Sequence, residues 1–156
     1  EKVFKLYIQR LDYSKKFLLQ SDVDALKKFD HSIDDYINSG RFNFFVRSLE
    51  LINTRTVEAQ SFYKEILDKP FYFHSEETVE LDAEKLSFSK TKDELKDAWR
   101  KSLNYQVLSR VFDALESQKK AKEKSDTVKL RTKEEIEIDV RKKVLKRNDD
   151  YFKRVK

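Results

Sequence analysis

The chain of 156 residues contains no cysteine and only one glycine and one proline. The absence of cysteine excludes disulfides, a thiolate nucleophile and cysteine-ligated zinc or iron–sulfur sites. A single glycine excludes the glycine-rich loops that hold phosphate groups in many nucleotide-binding proteins. Because turn-forming residues are rare while 40% of the residues are charged, the composition favours long helices with solvated outer faces.

The chain also lacks the residue patterns of catalytic and metal sites. Its two histidines, His31 and His74, stand apart from each other and outside any metal-ligand spacing. We expect both to have surface or packing roles, because zinc binding and acid–base catalysis need a partner residue. Acidic pairs such as Asp34–Asp35 follow from the 29 acidic residues alone. We therefore expect no catalytic, metal-binding or cofactor-binding residue, and no cofactor.

Aromatic residues, by contrast, are abundant. Twelve Phe, seven Tyr and one Trp predict a folded core, because disordered chains contain few aromatic residues. No apolar stretch is long enough to predict a membrane span. The sequence opens at Glu1 without an initiator methionine, and we expect residues 1–156 to be a single domain excised from a longer protein.

Hydrophobic periodicity predicts three helices in the first half of the chain. The first ends near Leu11, and the second begins after an N-cap at Ser21 and ends before Gly40. A third helix, of about six turns, ends before Pro70. The residues expected to face the core recur at helical spacing: Phe4, Tyr7, Ile8 and Leu11; Leu26, Phe29, Ile33, Tyr36 and Ile37; and Phe45, Leu49, Ile52, Thr56, Ala59, Tyr63 and Ile66.

Two capping boxes, Thr91–Glu94 and Thr132–Glu135, predict where two further helices begin. Before them, residues 71–89 show neither a helical nor a strand period, and we expect an extended but ordered connector. The fourth helix has two apolar rows, which predict contacts on two sides: Leu95, Ala98, Tyr105, Leu108, Phe112 and Leu115; and Trp99, Leu103, Val107 and Val111. The fifth helix carries Ile136, Val140, Val144, Tyr151 and Val155. The predicted fold is all-α, a bundle-like domain of five helices.

Two blocks of the sequence resemble the N-terminal domain of tail-specific proteases, also called carboxy-terminal processing proteases. The stretch "LDYSKKFLLQSDVDAL" is similar to the family segment "LDPSKLYFTQSDIDEF", with Tyr13 in place of the usual proline. The stretch "VELDAEKLSFSKTKDELKDAWRKSLNYQVL" resembles the family's "LELDREK" segment followed by "LDELWRKRLKY". The matching residues are Leu11, Asp12, Ser14, Lys15, Gln20, Ser21, Asp22 and Asp24 in the first block, and Leu81, Asp82, Glu84, Lys85, Leu95, Trp99, Arg100, Lys101, Leu103 and Tyr105 in the second.

The resemblance implies the non-catalytic N-terminal domain of a periplasmic serine protease that processes or degrades proteins from their C-termini. In the family, the Ser nucleophile, the Lys base and a PDZ-like domain lie downstream of this region, so no catalytic residue is carried over to this chain. The domain would act as a scaffold for substrate access or partner docking. Its expected partners are the rest of the parent protease and protein substrates or adaptor proteins.

On this interpretation the connector packs against the fourth helix, with Leu86 among the connector residues that contact it. Trp99 should be an anchor of the core, because Leu95 and Leu103 share its helix face at steps of four. The full set of expected structural anchors is Trp99, Leu81, Phe71, Phe73, Leu95, Leu103 and Tyr105.

The alternative is a free-standing helical protein-interaction module whose basic C-terminal helix binds nucleic acid. Residues 118–156 hold 15 Lys/Arg against 8 Asp/Glu, a net charge of +7, whereas residues 1–117 hold 19 against 21, a net charge of −2. Acidic residues interrupt the basic ones, so we expect a helix that faces solvent or protein, with Ile136, Val140 and Val144 free to dock. A parent gene that encodes PDZ-like and Ser/Lys protease domains would decide for the protease.

The basic final quarter is predicted not to bind nucleic acid tightly. Pairing of Glu137 with Arg141 and of Asp139 with Lys143, each one helical turn apart, should cancel much of the field that phosphate binding requires. We expect no sub-micromolar affinity for duplex or single-stranded DNA at about 150 mM salt. Tight, steeply salt-dependent binding would contradict this if it disappeared on replacement of the basic residues Lys142, Lys143, Lys146 and Arg147.

Overall fold

The computed structural model describes residues 2–28, 39–71 and 81–155, and the side chains of these residues except 39–43 and 155. Five helices occupy these ranges: α1 (Lys2–Leu11), α2 (Gln20–Lys27), α3 (Ser39–Leu67), α4 (Lys92–Lys124) and α5 (Lys133–Val155). The described ranges contain no β-strand, and their one strand-like pairing is a single parallel bridge between Leu19 and Ser89. The predicted all-α fold with five helices is confirmed.

Contacts divide the chain into two compact units. Unit 1 comprises Glu1–Ser61 and Glu80–Trp99, and unit 2 comprises Phe62–Val79 and Arg100–Lys156. Helices α3 and α4 each contribute their first part to unit 1 and their second part to unit 2. The single domain over residues 1–156 stays a prediction.

The core of unit 1 is built around α1. Phe4 and Ile8, one turn apart on this helix, are buried together with Leu26 of α2 and Phe44 of α3. Partly buried side chains pack around this cluster: Tyr7, Val23, Leu51 and Phe88. The backbone N–H of Asp12 donates to the carbonyl of Ile8 at 3.0 Å and completes the last turn of α1, which ends at Leu11 as predicted.

Helix α2 begins earlier than predicted. The N-cap is Leu19 rather than Ser21. An N-cap side chain normally accepts a backbone N–H of the first turn, which Leu19 cannot do. Asp22 makes the reciprocal contact of a capping box, because its Oδ2 accepts the Leu19 N–H at 2.9 Å. In addition, the Gln20 N–H donates to the carbonyl of Ser89 at 2.9 Å. The expected continuation of this helix through Phe29, Ile33, Tyr36 and Ile37 lies outside the described residues.

The sequence predicts Gly40 just after the end of the second helix, at the C′ position that glycine prefers. The structure places it elsewhere. It is the second residue of α3, which begins at Ser39. A glycine costs most in a helix interior, and a place in the first turn avoids that cost. The predicted end of α3 before Pro70 is confirmed at Leu67.

The first half of α3 buries a different row from the predicted one. Phe44 and Ser48 are buried, whereas Phe45 is 46% exposed and Leu49 is 54% exposed. Two adjacent phenylalanines fit the period equally well, and Phe44 is the one that joins the buried cluster of Phe4, Ile8 and Leu26. The ring of Tyr7 lies close to both, 5.1 Å from that of Phe44 and 5.4 Å from that of Phe45. The Tyr7 hydroxyl is hydrogen-bonded to the Ser48 hydroxyl. Further along α3, Thr56, Ala59 and Tyr63 are buried as predicted.

Helix α4 begins at the predicted capping box. The Glu94 N–H donates to Thr91 Oγ1 at 3.1 Å. The row that starts at Trp99 is buried in both units: Trp99 at 6% exposure in unit 1, and Leu103, Val107 and Val111 at 0–1% in unit 2. In the other row only Leu95 is buried, at 2% exposure.

The prediction that α4 is covered on two sides is wrong for the described residues. Tyr105 is 46% exposed and Phe112 is 64% exposed. Their helix face also carries Lys101 and Glu116, which lie one turn away from Tyr105 and Phe112 respectively. These charged neighbours interrupt the apolar row, so it does not form a second continuous packing surface.

Helix α5 lies in unit 2 and begins at the second predicted capping box. The Glu135 N–H donates to Thr132 Oγ1 at 3.2 Å. The apolar face of α5 is buried: Ile136, Val140, Val144 and Phe152. The prediction that Ile136, Val140 and Val144 are free to dock is therefore wrong, because this face already packs within unit 2.

Aromatic packing within unit 2 joins α5 to α3. Phe152 lies with its ring 5.0 Å from that of Tyr63, whose hydroxyl donates to Asp149 Oδ1 at 2.6 Å. Phe152 takes the buried position that the sequence assigned to Tyr151, which is 46% exposed. The side chain of Val155 is outside the described ones.

The loop between α4 and α5 is closed by a pair of hydrogen bonds. Gln118 Nε2 donates to the carbonyl of Arg131 at 2.9 Å, and the Arg131 N–H donates to Gln118 Oε1 at 3.1 Å. Lys122 Nζ adds a 2.7 Å bond to the carbonyl of Asp126. Helix α4 extends to Lys124 before the loop begins.

Replacement of Trp99 by alanine is predicted to lower the free energy of unfolding by about 3–5 kcal/mol, because it removes a buried aromatic ring. Phe112→Ala is the matched control: it removes an aromatic ring from the same helix at an exposed position, and should cost less than about 1 kcal/mol. Urea unfolding followed by circular dichroism measures both. Equal losses for the two variants would contradict the anchor role of Trp99.

Candidate functional site

The two sequence blocks that carry the family resemblance contact each other in unit 1. The indole N–H of Trp99 donates to the carbonyl of Lys16 at 2.8 Å, and the rings of Phe17 and Trp99 lie 6.1 Å apart. The bridge between Leu19 and Ser89 forms a second connection. The loop after α1, the end of the connector and the start of α4 thus form one assembly.

The buried carboxylate of Asp12 determines the path of this loop. Its Oδ1 accepts the Lys16 N–H at 2.9 Å, and its Oδ2 accepts the Phe17 N–H at 3.0 Å and the Leu18 N–H at 2.9 Å. Asp12 itself is only 4% exposed. Three charge-assisted hydrogen bonds satisfy backbone groups that have no helix or strand partner. Asp12 is therefore a structural carboxylate, fully used within the loop.

Lys15 attaches the connector to the same loop. Its backbone has φ 54°, in the left-handed region that costs a non-glycine residue energy. Its ammonium group donates to the carbonyls of Ala83 and Leu86 and lies 5.6 Å from the ring centroid of Phe88. These contacts stabilise a conformation that the backbone alone would avoid.

A network of charged side chains connects α2, α3 and α4. Arg55 binds Asp22 through two bonds, Nε to Oδ2 at 2.7 Å and Nη2 to Oδ1 at 3.0 Å. Its Nη1 donates to Glu58 Oε2 at 2.8 Å, and Lys92 Nζ lies 3.0 Å from Glu58 Oε1. The side chains of Arg55 and Asp22 are 14% and 7% exposed, whereas that of Lys92 is 60% exposed.

The network favours the charged forms of Arg55 and Glu58. The hydrogen bond to Asp22 is the main cause that raises the pKa of Arg55 further above its usual range. Burial acts to raise the pKa of Glu58, but hydrogen bonds from Arg55 and Lys92 outweigh it, and the pKa of that carboxyl lies below its ordinary value. A permanently charged, bidentate Arg–carboxylate pair is suited to holding helices in register.

The expected structural anchors are only partly where the sequence placed them. Trp99, Leu95 and Leu103 are buried, and Phe71 is half-buried. Leu81 is 68% exposed and Tyr105 is 46% exposed, which contradicts their assignment as anchors. Phe73 lies outside the described residues.

The described part of the connector is held through its backbone. Its carbonyls at Ala83 and Leu86 bind Lys15, and Ser89 pairs with Leu19, so no contact requires Leu81 to be buried. The connector is also not extended throughout, because the Lys85 N–H donates to the carbonyl of Asp82 at 3.0 Å and closes a turn. Residues 72–80 lie outside the described ranges.

Within the described ranges, no group of three or more His, Asp or Glu side chains is placed to hold a metal ion. His31 and His74 both lie outside those ranges. The candidate for a functional site is a groove in unit 2, with a volume of about 340 Å³. Its lining residues come from the end of α3, the following turn and α4: Glu65, Ile66, Lys69, Pro70, Phe71, Arg100 and Asn104.

Asn104 is the buried polar residue among those that line this groove. It is 9% exposed, and its side-chain amide has no hydrogen-bond partner among the residues that the structure describes. The amide atoms are not fully buried, so they are open to the groove. Polar groups placed among apolar walls are typical ligand contacts. Sequence patterns did not predict this groove. The signal available there was a polar residue one turn after Arg100, beside the buried row of α4.

Two side chains of α5 fix the turn that forms one wall of the groove. Glu137 Oε1 accepts the Phe71 N–H at 3.2 Å, and Arg141 Nη1 donates to the carbonyl of Leu67 at 3.4 Å. Arg141 Nε lies 2.6 Å from Glu137 Oε1, with side chains only 13% and 6% exposed. This ion pair confirms the predicted i to i+4 pairing, as does the 3.0 Å contact between Lys143 and Asp139 on the outer face of α5.

Comparison with known proteins shows the family of the chain. The family model of the tail specific protease N-terminal domain matches residues 1–155, and the chain belongs to this family. It is similar to the tail-specific protease of Haemophilus influenzae, with 28% identity over 100 residues. The matched region covers 64% of this chain and 14% of that relative. None of the helices in the described ranges combines the length and apolar character needed to cross a membrane.

The charged network of unit 1 gives a stability prediction. Arg55→Met should lower the free energy of unfolding by about 3 kcal/mol, because it leaves the buried carboxylate of Asp22 without its bidentate partner. Lys92→Met removes an exposed cation from the same network and should cost less than about 1 kcal/mol. Urea unfolding at neutral pH measures both losses. If Lys92→Met is as costly as Arg55→Met, burial does not decide the strength of these pairs.

Proposed function

We propose that this chain is the non-catalytic N-terminal domain of a periplasmic serine protease that processes or degrades proteins from their C-termini. The observation that carries the proposal is the family match over residues 1–155. On this proposal the parent enzyme supplies a Ser nucleophile, a Lys base and a PDZ-like domain from outside residues 1–156. The groove and the charged network belong to the domain that accompanies them.

We propose a scaffold role for the domain within the parent protease. Support comes from the number of buried polar contacts that fix its loops, including the Asp12 carboxylate and the Arg55–Asp22 pair. The exposed aromatic side chains Tyr105 and Phe112 would contact the rest of the parent enzyme. The relative offers ample further chain for this contact, since the matched region is 14% of its length. Exposed apolar side chains that lie together are typical of interaction surfaces.

The alternative of a nucleic-acid-binding helix has less support. The ion pairs Glu137–Arg141 and Asp139–Lys143 neutralise cations that would otherwise face phosphate. Asp139 also accepts a second cation, because Arg131 Nη1 lies 3.7 Å from its Oδ2, and hydrogen bonding from Lys143 is the main cause that lowers the pKa of this carboxyl. A mixed-charge surface of this kind favours protein or solvent contact.

The isolated chain is predicted not to cleave peptides, whereas the parent protease should cleave an unstructured protein that ends in apolar residues. The same substrate with acidic residues at its C-terminus should be cleaved at least about tenfold more slowly, a difference of about 1.4 kcal/mol in transition-state binding. Gel-based assays of the purified chain and of the purified parent measure both rates.

The parent protease should also be recovered in the periplasmic fraction of its source cells. Cleavage by the isolated chain, after contaminating proteases have been excluded, would contradict the assignment of a non-catalytic domain. A parent protease that cleaves both substrates equally would contradict processing from the C-terminus.

A further inference from the structure

We propose that the groove of unit 2 binds an extended backbone segment of a protein substrate, with one apolar side chain inserted beside the amide of Asn104. The inference rests on the proposed function only in naming a protein substrate as the source of that segment. The binding chemistry comes from the groove itself, which has one buried polar group and predominantly apolar walls.

The amide of Asn104 matches a peptide group. Its Nδ2 can donate to a backbone carbonyl while its Oδ1 accepts a backbone N–H. Within the described residues neither atom has a partner, although Asn104 is 9% exposed. A peptide backbone supplies both partners at once, because it carries an N–H donor and a carbonyl acceptor at every residue except proline. An extended segment would therefore bind the amide that the folded chain leaves open to the groove.

The walls of the groove suit an apolar side chain. Ile66, Pro70 and Phe71 supply aliphatic and aromatic surface on the α3 side. At the mouth, Lys69 and Arg100 carry positive charge and Glu65 carries negative charge. Because both signs of charge are present, the groove does not select strongly for the charge of the peptide residues on either side of the inserted apolar side chain. The recognised elements are then the backbone and one apolar side chain, which many sequences share.

The groove is preformed rather than assembled by its ligand. Glu137 binds the Phe71 N–H and Arg141 binds the carbonyl of Leu67, so the turn that carries Pro70 is held by an ion pair with little solvent exposure. A preformed site avoids much of the ordering cost of binding. Recognition through the backbone suits a protease that must hold many unrelated chains.

A second groove, of about 370 Å³, lies in unit 1, and its polar groups are less suited to bind a peptide. Its buried carboxylate, Asp12, already accepts three backbone N–H groups, and the ammonium group of Lys15 already binds two carbonyls. The polar groups there are committed to the fold. The unit 2 groove is therefore the better candidate for a peptide.

The test uses this chain and a fluorescent glycine–serine peptide with one central leucine and an amidated C-terminus. Fluorescence anisotropy should show saturable binding that is lost when the leucine is replaced by serine. N-methylation of the leucine amide removes the N–H that Asn104 would accept, and should weaken binding about tenfold. In Asn104→Leu, peptide binding should be weaker and N-methylation should make no further difference.

Gln106→Leu is the matched control, because it removes an amide from the same helix at a position that does not line the groove. This variant should keep both the peptide affinity and the effect of N-methylation. Asn104→Leu should also melt at the same temperature as the wild type or higher, because the Asn104 amide bonds to no other described residue and the substitution breaks no hydrogen bond among them. A fall of several degrees would assign Asn104 a structural role and overturn the proposal.

Absence of binding to the wild-type chain would also overturn it, as would an N-methylation effect that persists in Asn104→Leu. Light scattering tests whether the chain forms a dimer at assay concentrations. A dimer that competes with the peptide would assign the groove to a second copy of the chain instead. The amidated peptide has no free C-terminus and the assay involves no cleavage. A negative result in the peptide-binding assay therefore does not test the proposed C-terminal processing. A negative result in the processing assay likewise does not test peptide binding in the groove.

Discussion

The packing of unit 1 depends on one buried carboxylate. Asp12 supplies acceptors for three consecutive backbone N–H groups, those of residues 16–18, at a point where the chain is neither helix nor strand. With these groups satisfied, the loop can be buried, and the carbonyl of Lys16 is free to accept the indole N–H of Trp99. Removal of the carboxylate would leave buried donors without partners, which folded proteins rarely tolerate. The contact between the two family-like blocks follows from this arrangement.

Features that depend on residues within one helical turn could be predicted from the sequence. The capping boxes at Thr91 and Thr132 and the pair Glu137–Arg141 need only the right side chains three or four positions apart. The choice between Phe44 and Phe45 could not be predicted, because it depends on packing against Phe4 and Ile8 of another helix. The N-cap of α2 likewise depends on Ser89, far away in the chain.

The groove illustrates a different limit on prediction. The sequence shows an asparagine beside the buried row of α4, but such residues usually find a partner in the fold. Only the arrangement of the turn after α3 shows that the Asn104 amide faces a groove and has no partner among the described residues. Exposure of Leu81 and Tyr105 has a related cause. Both match the family pattern, yet the connector around Leu81 is held through its backbone, and Tyr105 lies beside charged residues on an outer face of α4.

The order of the two units along the chain has a consequence for synthesis on the ribosome. Unit 1 combines Glu1–Ser61 with Glu80–Trp99, and part of unit 2 lies between these segments. The bond from Trp99 to Lys16 joins residues 83 positions apart. Unit 1 therefore cannot close until the start of α4 has left the exit tunnel, and contacts between such distant residues slow folding. Until then, Phe17 lacks the ring of Trp99 against which it packs, and it remains part of an exposed apolar surface that a chaperone can bind.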